Sequence, residues 1–183
     1  MARVVACVLA ITAIVAAVFA VVAAVIAHAR GIPHAPGALD VVPLLLGVGP
    51  PAAVGAFLVL RRPRAVVGWI LVVGALSVAA SMAAWTASAL LLNADRDSAP
   101  GAWLLLGSQE WLVFFAWPLA LAYCYPDGRL PSPRWRPAAR LAVVSCGGTM
   151  LLLLFQQPLD GPFGPVDNPL GVDAKTPALL AVF

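Results

Sequence analysis

Long apolar runs separated by short polar breaks set the plan of the chain. Residues 4–29 hold no charged side chain, and neither do residues 41–60 or 65–92. Residues 102–125 carry a single acid, Glu110, and a fifth apolar run covers residues 138–155, beginning near Pro137. Runs of roughly 18 or more apolar residues are long enough for a helix to cross the hydrocarbon layer of a bilayer. The apolar positions are continuous rather than alternating, which argues against a membrane β-barrel. The pattern therefore predicts an all-α fold: a polytopic transmembrane helix bundle forming one domain over residues 1–183. Five complete spans are expected, with the start of a sixth at residues 177–183. Seven apolar residues cannot cross a bilayer, so the expectation is of a fragment of a longer protein.

The breaks are rich in helix-stopping residues. Gly31, Pro33, Pro36 and Gly37 interrupt the chain after the first run, and Arg61-Arg62-Pro63-Arg64 makes a tight turn after the second. The first run is too long for the core of a signal peptide and no cleavage site follows it, so it reads as a retained helix. Gly47, Gly49, Pro50, Pro51 and Gly55 fall inside the second span, and paired prolines there predict an interruption and a kink. In the third span, Gly74, Ser77, Ser81, Ala84 and Ser88 recur every three or four residues. This places small side chains on one face, where another helix can approach closely. A serine-lined ligand face is the sharper alternative. Trp103 near one end of the fourth span, and Tyr123 and Tyr125 near the other, fit interfacial aromatic anchors, and Pro118 predicts a kink between them. Residues 156–176 read as a polar loop.

Composition strengthens this picture. Hydrophobic residues make up 62% of the chain and charged residues 10%, with a mean hydropathy of +0.97. Soluble domains average about 45–50% apolar residues. One soluble core could not hide so much apolar surface.

The net charge of +3 matters less than its placement. Arg3, Arg61, Arg62, Arg64, Arg129, Arg134, Arg136 and Arg140 fall on one side of the expected topology. Only Arg30, Arg96 and Lys175 fall on the other, together with Asp40, Asp95, Asp97, Asp160, Asp167 and Asp173. Basic residues in short loops mark the cytoplasmic side. A multi-pass protein of the cell membrane with a cytoplasmic N-terminus is expected. The arginines of the two basic turns serve as topology and lipid-contact residues facing the bilayer's phosphates. Their position beside membrane helices gives no reason to expect a nucleic-acid partner.

Candidate chemistry is sparse. No phosphate-binding loop, nucleophile elbow, zinc spacing or dinucleotide fingerprint occurs, and no catalytic, cofactor or metal residues are assigned. Cys7, Cys124 and Cys146 are far apart in sequence and read as small, weakly polar core residues. His28 and His34 flank an expected outer loop without a third ligand, and read as solvated. Glu110 is the candidate sensing residue, because a carboxyl inside a span is costly. Its depth of roughly 10–12 Å along the helix also allows an interfacial or hydrogen-bonded carboxyl.

The run from Tyr125 through Asp127-Gly128-Arg129 to Trp135-Arg136-Pro137 resembles a cytoplasmic turn of bacterial two-component sensor histidine kinases, where it joins two membrane helices. Arg61-Arg62-Pro63-Arg64 with Val67-Gly68-Trp69, and Asn168-Pro169-Leu170-Gly171, are similar to further stretches of that family in the same order. Tyr125 stands where the family has Phe. The resemblance covers roughly residues 40 to 175. It implies a membrane sensory region relaying a signal to a cytoplasmic kinase domain that this sequence lacks. It further implies homodimerisation if the chain is kinase-linked, and a response regulator met only through the missing domain. Enzymatic activity would belong to that domain. The competing expectation is a stand-alone small integral membrane protein, transporter-like or a partner-binding subunit.

Overall fold

A computed structural model describes residues 1–32, 38–108, 113–125, 128–130 and 132–171. Five helices lead up to the second basic turn: α1 (Ala2–Ala29), α2 (Ala38–Arg61), α3 (Val66–Ala94), α4 (Ala99–Ser108) and α5 (Val113–Cys124). A 3-10 turn at Pro133–Trp135 then leads directly into α6 (Arg136–Leu154). The chain is mostly helical, and the all-α class holds apart from one small hairpin described below.

The way α1 buries its side chains identifies the surrounding solvent. Ala6, Ala10, Ala13, Ala17, Ala20, Ala24 and Ala27 are all buried, with alternating spacings of four and three. The large side chains Val4, Val8, Ile11, Val15, Val18, Val22 and Val25 recur at the same spacing and point outward. A helix folding in water buries its large apolar residues. Small residues inside and branched ones outside is the arrangement that membrane helices use, because lipid gives no reason to hide Val or Ile and close backbone approach adds dispersion contacts.

Helix α3 is the centre of the bundle and packs against α1, α2, α4 and α5. Its Ala75, Val78 and Ala79 join Ala10, Ala13 and Ala17 of α1 and Val48 and Ala52 of α2 in one core. Helices α1 and α3 run parallel: residues near their midpoints share that core, while Ala27 and Ala89 near their C-termini meet at Ile32. Helix α2 returns between them. Where α2 crosses α3, Gly55 faces Gly68. A Cβ at Gly55 would lie 2.8 Å from the Gly68 carbonyl oxygen, and one at Gly68 would lie 3.0 Å from that of Gly55.

Among the described residues, three helical segments are long and apolar enough to cross a membrane: Ala2–Ala29, Val66–Ala94 and Pro133–Leu154. The five complete spans expected are thus shown only in part. Helices α4 and α5 lie within the expected fourth span, and residues 109–112 between them are outside the described residues. Helix α2, of 24 residues, covers the second span expected at residues 41–60. The expected interruption of the second span does not occur: α2 continues through Pro43, Pro50 and Pro51. The expected sixth span, residues 177–183, lies outside the described residues.

The expected loop after the fifth span contains a hairpin. Strands β1 (Leu159–Gly161) and β2 (Gly164–Val166) pair antiparallel, with Leu159 opposite Val166. Leu159 is buried with Leu92, Leu105 and Leu106, so the hairpin caps this end of the bundle. Asn168 fastens the cap: its side-chain amide donates to the carbonyls of Leu154 (2.9 Å) and Gln156 (2.7 Å), and its carbonyl accepts from Leu170 N–H (2.9 Å).

Helix α6 has no buried residue along its 19 residues, unlike the central helix α3. It is held at its ends. Trp135 stands edge-on against Tyr123 of α5, with ring centroids 5.9 Å apart. Leu154, the last residue of α6, packs on the cluster under the hairpin. Between these points Leu141, Val143, Val144, Leu151 and Leu152 face outward.

Candidate functional site

The two basic turns form one end of the molecule. The first is closed by hydrogen bonds. Arg62 N–H donates to Leu58 (2.7 Å), Ala65 N–H donates to Arg62 (2.8 Å), and the Trp69 indole N–H donates to the Pro63 carbonyl (3.0 Å). The last of these ties the side chain of Trp69 to the turn that precedes α3. Arg61 lies over the Phe57 ring, 5.2 Å from its centroid, a favourable cation–π placement.

The second turn begins where α5 ends. Gly128 has φ +71, a conformation natural to glycine and strained for other residues, and its N–H donates to the Cys124 carbonyl at 2.6 Å. Pro126, Asp127 and Pro131 lie outside the described residues. Gly128 rests on the start of α3: a Cβ there would sit 2.8 Å from the Val66 Cβ. The Arg61–Arg64 and Tyr125–Pro137 stretches, far apart in sequence, thus meet through a glycine and a valine.

Arg61, Arg62, Arg64, Arg129, Arg134, Arg136 and Arg140 are all exposed. Among the described residues, none is paired with a carboxylate. Trp135 and Tyr125 are exposed beside them, 48% and 68% respectively, which gives this end an aromatic and cationic rim. Among the described residues, the arrangement offers no acid–base pair. Its chemistry is that of guanidinium groups, which recognise carboxylates and phosphates through paired N–H donors.

The opposite end carries the hairpin cap and an open cleft of about 490 Å³. Leu92, Arg96, Asp97, Trp103, Phe163 and Asp167 are among its lining. The Arg96 guanidinium sits 3.8 Å from the centroid of the Phe163 ring and so joins the α3–α4 loop to the hairpin.

The remaining sequence candidates are dispersed. Glu110 and His34 lie outside the described residues, and His28 is exposed in the last turn of α1. Cys7, Cys124 and Cys146 are separate, half-buried free thiols. Of the small residues in α3, Gly74 packs under Trp117 of α5, and Ser81 donates to the Ser108 carbonyl of α4 at 3.1 Å. Ser88 is buried and donates to the Trp85 carbonyl of its own helix at 2.8 Å. The stripe therefore packs helices together. Two features went unread in the sequence. The alanine seam of α1 was visible there as a heptad of one residue type, whereas the contact of Gly128 with Val66 left no local mark. Compared with known proteins, the chain matches no family model, no curated protein and no solved structure.

Proposed function

We propose that this chain is the membrane-embedded input region of a two-component sensor histidine kinase, passing a signal to a cytoplasmic kinase domain outside these residues. The observation that carries the reading is the contact of Gly128 with Val66. It brings together the two stretches on which the family resemblance chiefly rests, at one basic end. The helix directions support a multi-pass arrangement. If the parallel helices α1 and α3 both cross, α2 must return the chain between them, and the α4–α5 pair must bring it back to the basic end. Seven exposed arginines there, with Arg3 at the start of α1, support a cytoplasmic position for that end and the N-terminus.

The moving part is α6. It starts at the basic turn, ends under the outer cap, and buries nothing along its length. A stimulus at the cap would bias two positions of α6 that differ by a few kcal/mol, and the kinase would read the difference.

The test uses the gene at its native locus, tagged at its 3′ end, with membranes assayed for ATP-dependent histidine phosphorylation. The expected result is an acid-labile phosphate on the polypeptide that contains these residues, changed in level by Gly128→Val. A tagged product carrying these residues with no phosphohistidine and no kinase partner would instead identify a stand-alone membrane protein.

A further inference from the structure

The basic end has a more specific use than orientation. Because Gly128 rests on Val66, the next residue, Arg129, and Arg64, two before the valine, leave the backbone on adjoining turns. Both are exposed, and among the described residues neither meets a carboxylate. Arg61 differs in being held over Phe57. Asp127 is the single acid in the two turns, so positive charge remains in large excess. The exposed rings of Tyr125 and Trp135 set the depth of this end at the level of lipid headgroups.

We infer that the two turns form a phosphate clamp for the headgroup of an anionic phospholipid. Arg64 grips from the α2–α3 turn and Arg129 from the α5–α6 turn, with Arg62 and Arg134 flanking. A guanidinium meets a phosphate through two parallel N–H donors, and two of them on different turns bridge one headgroup. A lipid fits better than a free phosphate ion because the site is open and lies at the membrane surface. The bound headgroup ties the start of α3 to the turn that launches α6. Lipid composition would then shift the position of the helix proposed to carry the signal. This inference rests on the membrane-crossing reading and is independent of kinase linkage.

The full chain, purified in detergent, is titrated with phosphatidylglycerol and with phosphatidylcholine, and retained lipid is counted by native mass spectrometry. Retention of phosphatidylglycerol over phosphatidylcholine is expected. Arg64→Gln and Arg129→Gln should each weaken it roughly fivefold. The double variant should lose less than the product of the two, because both side chains hold one headgroup. Arg96→Gln at the opposite end should change nothing. Equal retention of the two lipids, an Arg96→Gln loss matching that of Arg129→Gln, or independent losses at Arg64 and Arg129 would overturn the clamp. Displacement of the lipid by inorganic phosphate alone would reassign it to a soluble ion. Labelling of the basic end from outside the cell would sink the topology while leaving the lipid count to judge the clamp.

Discussion

Gly128 and Val66 touch at the basic end, and the glycine does so in a left-handed conformation that leaves no room for a side chain. Gly128→Ala should therefore destabilise the fold twice over. Forcing a Cβ into positive φ costs roughly 1–2 kcal/mol, and crowding Val66 adds about 1–3 kcal/mol. Thermal unfolding in detergent reads the total. Val66→Ala in the Gly128→Ala background should recover part of the crowding term and none of the backbone term.

The facing glycines of α2 and α3 make a second prediction. Gly55→Val or Gly68→Val must push the helices apart and should cost about 1–3 kcal/mol. Gly47, in the same helix α2, has nothing within 4 Å of where its Cβ would be. Gly47→Ala should be neutral or stabilising by roughly 0.5–1 kcal/mol, since glycine is the poorer helix former. Equal losses at Gly47 and Gly55 in a denaturation series would refute the close α2–α3 crossing.

Helix α1 should show the inverse of a soluble helix. Ala17→Leu, on the buried seam, should destabilise by about 1–3 kcal/mol, while Val15→Leu on the outward face should change stability by less than roughly 0.5 kcal/mol. A tolerated Ala17→Leu would mean that the seam is not packed.

Asn168 holds the hairpin cap to the end of α6 through two hydrogen bonds, to the Leu154 and Gln156 carbonyls. Asn168→Ala should cost about 1–2 kcal/mol by removing both of these hydrogen bonds and the side chain that makes them. Hydrogen exchange should rise in the last turn of α6 and in the hairpin, and stay unchanged in α1.

The long helices were legible because hydropathy over many residues decides them. The third span was expected at residues 65–92 and is Val66–Ala94. The positive φ of Gly128 was legible too, from the turn chemistry of Pro126-Asp127-Gly128. The hairpin was not. Its strands have three residues each, among prolines and glycines, and Leu159 is placed by the leucines of α3 and α4 rather than by any local pattern. The continuity of α2 through Pro50 and Pro51 likewise departs from the local rule. Two missing N–H donors weaken a helix but do not end one whose far half is packed on α3 through Ala52, Gly55 and Val59.

Two distant turns meet at one basic end, which we propose faces the cytoplasm. Arg62→Cys and Arg134→Cys, made singly in a chain with Cys7, Cys124 and Cys146 replaced by alanine, test it with a membrane-impermeant maleimide. Both positions should be protected in intact cells and labelled in inside-out vesicles. Labelling of either from outside intact cells, or of the two from opposite faces, would contradict the account.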